Sequence, residues 1–120
     1  MGNPVCHFEI MGKDYQKSMG FYKDLFDWKI SEHEGMSYGM VEAGAEKGAI
    51  GGGICPTQEG APPSLTFYVL VDDLQAYLDK AVKLGGKPVV PPTPIPGIGG
   101  FAMFADLDGN VVGLFKPNQQ

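Results

Sequence analysis

The chain has 120 residues, 43% hydrophobic content and a net charge of −5, the proportions of one soluble domain with enough chain to bury a core. All nine cations are Lys; the lack of the bidentate fork of Arg, with the acidic balance, argues against nucleic acid as a partner and disfavours a strong anion clamp. No apolar run approaches the ~18 residues of a membrane helix, and the amino terminus MGNPVC has no basic stretch leading into an apolar one.

VCHFEIM (5–11) reads as a strand that feeds a helix from about Asp14 to Phe26. Asp14 is placed as its N-cap, and Tyr15, Met19, Tyr22 and Phe26 form one face. Three short strands follow, WKISEH (28–33), SYGMVEA (37–43) and AIGGGIC (49–55). Pro62 and Pro63 mark a join. SLTFYVLV (64–71) is rich in β-formers, Asp72 with Gln75 fits a capping box, and Leu74, Leu78 and Ala81 make a buried stripe. Lys80 and Lys83 suit the end of this helix, and Gly85 and Gly86 stop it. A short strand, PVV (88–90), precedes a stiff connector, PPTPIPGIGG (91–100). FAMFA (101–105) and NVVGLFK (110–116) close as a hairpin through DLDG.

This order is β-α-β-β-β, written twice. His7 precedes Asp14 by the same interval as Thr66 precedes Asp73, and LFDWKI (25–30) lies on LGGKPV (84–89) while IGGGICP (50–56) lies on VVGLFKP (111–117). The expected fold is α+β, a single domain over 1–120, with module one at about 4–57 and module two at about 62–117. The two modules are expected to form a curved, cup-like sheet with the helices on the outside.

Strand alternation sorts the polar residues by face. Glu9 points with His7, and the two make a candidate general acid/base pair. Thr66, Tyr68 and Leu70 share a face, as do Ile50, Gly52 and Ile54, and Val111, Gly113 and Phe115. Cys6 and Cys55 are expected to face the helices as core residues. GAIGGG lacks the spacing and following helix of a dinucleotide loop, and the twelfth position counted from Asp106 is Pro117, which rules out a calcium loop.

HFEIMGKDYQKSMGFYKDLFDWKI, GAIGGGI, LTFYVLVDDLQAYLDKAVKLGGKPVV and FAMFADLDGNVVGLFK together resemble the vicinal-oxygen-chelate superfamily, which includes glyoxalase I, extradiol dioxygenases and bleomycin-resistance proteins. The resemblance covers about residues 5–117. It implies metal-ligand positions on the first and last strand of each module, which fall on His7, Gly52, Thr66 and Gly113. Only His7 keeps a ligand side chain, whereas catalytic sites use about three. No metal site and no cofactor are therefore expected.

The expected function is metal-independent binding of a small organic ligand in the cup, with Gly52, Thr66, Tyr68, Gly113 and Phe115 in contact with it and His7 and Glu9 beside it. One alternative is a glyoxalase-like lyase or isomerase that uses His7 and Glu9 as acid and base, or a dioxygenase-like enzyme with metal ligands outside the aligned positions. Another is an interaction domain whose cup has collapsed. A cytoplasmic homodimer is expected, with both thiols reduced and no contact with nucleic acid or membrane.

Overall fold

The computed structural model describes residues 2–33 and 35–118. The chain divides into two compact units, one spanning His7–Thr66 and the other running from Phe67 onward together with the residues ahead of His7. The strands and helices are β1 (Val5–Gly12), α1 (Tyr15–Phe26), β2 (Ile30–His33), β3 (Tyr38–Val41), β4 (Gly51–Pro56), β5 (Ser64–Leu70), α2 (Leu74–Lys83), β6 (Lys87–Ile95), β7 (Gly99–Ala105) and β8 (Val111–Pro117). The architecture is thus α+β, a β-α-β-β-β order given twice.

Within the first unit the strands lie in the order β2-β3-β4-β1, with β1 parallel to β4 and the other pairs antiparallel. Within the second the order is β6-β7-β8-β5, again with one parallel pair, β5 and β8. The same wiring in both follows from the repeated sequence, because the helix after each first strand is a crossover that makes its partner strand parallel.

α1 starts where Asp14 accepts the Lys17 amide at 3.2 Å and stops at Asp27, whose left-handed backbone turns the chain out of the helix. Aromatic rings join it to the sheet: Trp28 meets Phe8, Tyr22 and Phe26 at centroid distances of 5.5, 5.6 and 5.1 Å. No residue of α1 is fully buried. The N-cap of α2 is Asp73, not Asp72; its carboxylate accepts the Ala76 amide at 3.0 Å. Leu78 of α2 packs with Val71, Ala102 and Leu114 into the core of the second unit. The residues ahead of His7 join this unit through the Leu70 amide to the Pro4 carbonyl at 2.9 Å and the Asn3 side chain to the Leu70 carbonyl at 3.0 Å.

The proline-rich connector differs from expectation. Most of it is strand: β6 runs through Pro91, Pro92 and Pro94 to Ile95, paired with β7 with register shifts between Pro88 and Thr93. β6 ends the strand order of its unit, and an edge strand tolerates residues that have no amide proton to give. The β7–β8 turn is as the sequence indicates. Asp106 accepts the amides of Asp108 and Asn110 and the Asn110 side chain, and these bonds, led by Asn110, hold its carboxyl below the usual carboxylate range.

Two substitutions test this packing. Leu78→Ala removes a side chain that is 3% exposed and is expected to cost about 2–5 kcal/mol in urea unfolding. Gly20→Ala adds a methyl in α1 where no atom lies within 4 Å, and is expected to raise stability by roughly 0.5–1 kcal/mol.

Candidate active site

The site grows from two glycines in β4. β1 and β4 run parallel with His7 beside Gly51 and Glu9 beside Gly53, so these four positions share one face of the sheet. Met40 of β3 pairs with Gly53, which puts Met40 and, two residues earlier, Tyr38 on the same face. It is the face turned away from α1. A Cβ built at Gly53 would overlap the Tyr38 phenol. The missing side chain therefore lets the tyrosine lie across β4 and reach β1.

There the Tyr38 hydroxyl meets both candidates. It lies 2.8 Å from His7 Nε2 and donates to Glu9 Oε2 at 2.9 Å. A phenol has one proton, and here it points at the carboxylate; Nε2 must then carry the proton of the other bond. Burial pushes the His7 imidazole below its ordinary pKa, so it is neutral near pH 7. The hydrogen-bond pattern assigns the Nε2–H tautomer, with Nδ1 unprotonated. The result is a relay, imidazole to phenol to carboxylate, on one open sheet face.

Gly52 sits elsewhere. It pairs with Phe8, and a Cβ there would run into the Phe8 ring, which packs on Trp28 on the α1 side. The expectation that Gly52 stands with His7 is corrected by one residue of register: Gly51 and Gly53 take that place. The same shift moves Cys55, expected to face the helix, onto the side of Glu9. Burial, and then the negative charge of Glu9, push its thiol up to about 12. Cys6, whose thiol donates to the Tyr68 carbonyl at 3.6 Å, is also raised by burial. Neither is a thiolate at neutral pH.

In the second unit Tyr68 pairs with Gly113, and its ring covers the place of the absent Cβ. Phe101 meets Tyr68 edge-on at 6.5 Å, and Phe101 pairs with Phe115 across β7 and β8. These rings lie on the face opposite Leu114, which packs with Leu78 of α2. Thr66 lies two residues before Tyr68 on β5, with the same strand parity.

The donor set does not fit a metal of the kind the resemblance implies. Gly51, Gly53 and Gly113 offer no ligand atom, and the space over two of them is filled by tyrosine. Among the described residues no three His, Cys, Asp or Glu side chains come together.

Comparison with known proteins settles the kinship. The family model of the Glyoxalase/Bleomycin resistance protein/Dioxygenase superfamily matches residues 5–114. The chain belongs to this superfamily. Among curated members, "Putative glyoxylase CFP32" of Mycobacterium tuberculosis (strain CDC 1551 / Oshkosh) is 31% identical over 115 residues, 93% of this chain. The chain spans 43% of that relative, less than half its length. A "Glyoxylase-like domain-containing protein" of Didymella fabae is also 31% identical, over 88% of each chain. Among solved structures, the superfamily fold is shared with methylmalonyl-CoA epimerase from Mycobacterium tuberculosis, at 13% identity and TM-score 0.67 over 96% of this chain and 88% of that one. It is shared too with hypothetical protein BH1468 from Bacillus halodurans C-125, at 12% identity and TM-score 0.69 over 100% and 98%.

The lowered pKa of His7 has a signed consequence. The unfolded chain takes up the proton near pH 6.5, above the pKa of the folded chain, so this contribution is complete above about pH 6.5 and is lost as pH falls toward the folded pKa. His7→Gln is expected to show a smaller fall in urea midpoint between pH 7.5 and 5.5 than the wild-type chain; an equal fall would contradict a half-buried neutral imidazole. Gly53→Ala is expected to displace Tyr38, at a cost of about 1–3 kcal/mol, read from urea unfolding and from the shifted Tyr38 ring resonances.

Proposed function

We propose that this chain is a metal-independent binding protein for a small organic ligand, taken on sheet faces that carry no helix. The observation that supports this most is the single hydroxyl of Tyr38 shared between His7 and Glu9. It holds both side chains at the surface of an open face, where they can orient a ligand's polar group. The absence of three convergent metal-ligand side chains among the described residues supports reading the site as organic rather than metallic. In this reading Thr66, Tyr68, Gly113 and Phe115 contribute ligand contacts from their own strands, and Gly53 takes the part first given to Gly52.

Dimerisation and a cytoplasmic setting belong to the same reading. Phe21, Leu25 and Leu65 expose most of their side chains, as residues do when a second copy covers them. Both cysteines are unpaired, as a reducing compartment would keep them. The lack of Arg argues against nucleic acid, and no described helix is long and apolar enough to cross a membrane.

A second reading is favoured by the same relay. A neutral imidazole coupled through a phenol to a carboxylate can accept a proton and pass charge to Glu9, the requirement for a metal-free lyase or isomerase. The names of the glyoxylase-like relatives are in line with it.

One experiment separates the two. A library of small organic molecules is screened by NMR, and each hit is followed for both binding and turnover. Ligand capture predicts shifts at Tyr38, Met40 and Gly53, with affinity reduced about tenfold in Tyr38→Phe, the worth of one hydrogen bond of about 1.4 kcal/mol. An enzyme predicts conversion of a hit that drops by at least about a hundredfold in Glu9→Gln and His7→Ala. Hits that shift only residues on the α1 side of the sheet would contradict both.

A further inference from the structure

The helix side of the second unit is only partly covered. An α-helix is about 10–12 Å across and neighbouring strands lie about 4.8 Å apart, so one helix covers roughly two strands of a four-stranded unit. α2 packs chiefly on β6 and β7. Beside it, over β5 and β8, lies an open cavity of about 410 Å³, within the roughly 300–1,000 Å³ of small-molecule sites. Val69 and Leu114, paired across β5 and β8, form its floor with Val71 and Phe104. Ala81 and Leu84 of α2 form one wall. Leu84 and Leu107 stand at the mouth, 69% and 77% exposed. A Cβ at Gly85 would touch Leu107, so this turn leucine lies against the end of α2.

The polar groups around the cavity are few. Asn3 gives its side-chain amide to the Leu70 carbonyl and accepts the Tyr77 hydroxyl at 3.3 Å. Asp106 accepts the bonds of its own turn. Lys80 and Asp106 set one charge of each sign at the rim. We propose that this cavity is a second binding site, for an uncharged and largely apolar small molecule. It shares no residue with the His7–Tyr38–Glu9 face and does not depend on the reading of that face. The physical ground is burial. An apolar occupant removes from water its own surface, the floor of the cavity and the two exposed leucines. A charged group carried to that floor loses its water and finds no partner among Val69, Val71, Phe104 and Leu114. Held at the rim, an anion meets Asp106 and the carbonyl end of α2, and a cation meets Lys80. Neither sign of charge is favoured, and apolar contact decides.

The test titrates toluene, benzylamine (an ammonium at pH 7) and benzoate singly into the full chain and follows the resonances of Val69, Ala81, Leu84 and Leu107. Shifts at Tyr38 and Gly53 report the other face and are read separately. Toluene is expected to shift the cavity residues saturably, and both charged probes to bind there at least about tenfold more weakly. Ala81→Leu fills the cavity with a good helix former and is expected to weaken toluene by about tenfold. Leu107→Ser removes one side of the mouth and is expected to weaken it by about threefold. Leu107 is 77% exposed, so this variant carries the test should Ala81→Leu fail to fold. Toluene near saturation that shifts none of the four residues, or that binds both variants as it binds the wild-type chain, would overturn the site. Benzoate or benzylamine bound at the same residues as tightly as toluene would overturn the selection for an uncharged occupant.

Discussion

One constraint shapes the site: a strand position with no side chain. Gly53 gives up the packing and rigidity a side chain would add to β4. In exchange it leaves room for Tyr38 to cross the strand and bring its hydroxyl between His7 and Glu9. Without that crossing, His7 and Glu9 would be two polar residues on one strand. With it, they share a proton network whose geometry is fixed by the sheet register. The second unit repeats the device with Tyr68 over Gly113, there with an aromatic surround instead of titratable partners.

Glycines also bear on the chemistry of the superfamily. At Gly52 and Gly113, two of the positions that the resemblance reads as metal-ligand positions, the place of a side chain is taken by the rings of Phe8 and Tyr68. His7 remains, but in a different electrostatic setting. It is half-buried, neutral and hydrogen-bonded through Tyr38 to a carboxylate on its own strand.

Much of this was legible in the sequence because it depends on period and punctuation. Asp14 and the helical spacing of Tyr15, Met19, Tyr22 and Phe26 set α1, the duplicated order set the architecture, and the DLDG turn set the last hairpin. What escaped was register and lateral reach. Three consecutive glycines (51–53) present no hydrophobic alternation, so nothing local says which of them faces His7; only pairing with Phe8 does. Tyr38 lies within an expected strand (37–43), but its bridging role depends on the strand between it and β1 being bare. The proline run reads as a connector because prolines oppose central strands, and as strand it is tolerated because β6 lies at the edge of its unit's strand order.

The central claim is the direction of the protons around Tyr38, and the most direct measurement is the tautomer of His7. Long-range nitrogen–proton correlation on uniformly labelled protein near pH 7 distinguishes the two ring nitrogens. The account predicts a neutral imidazole with Nε2 protonated and Nδ1 bare. A proton on Nδ1 with Nε2 bare, or an imidazolium at that pH, would contradict it.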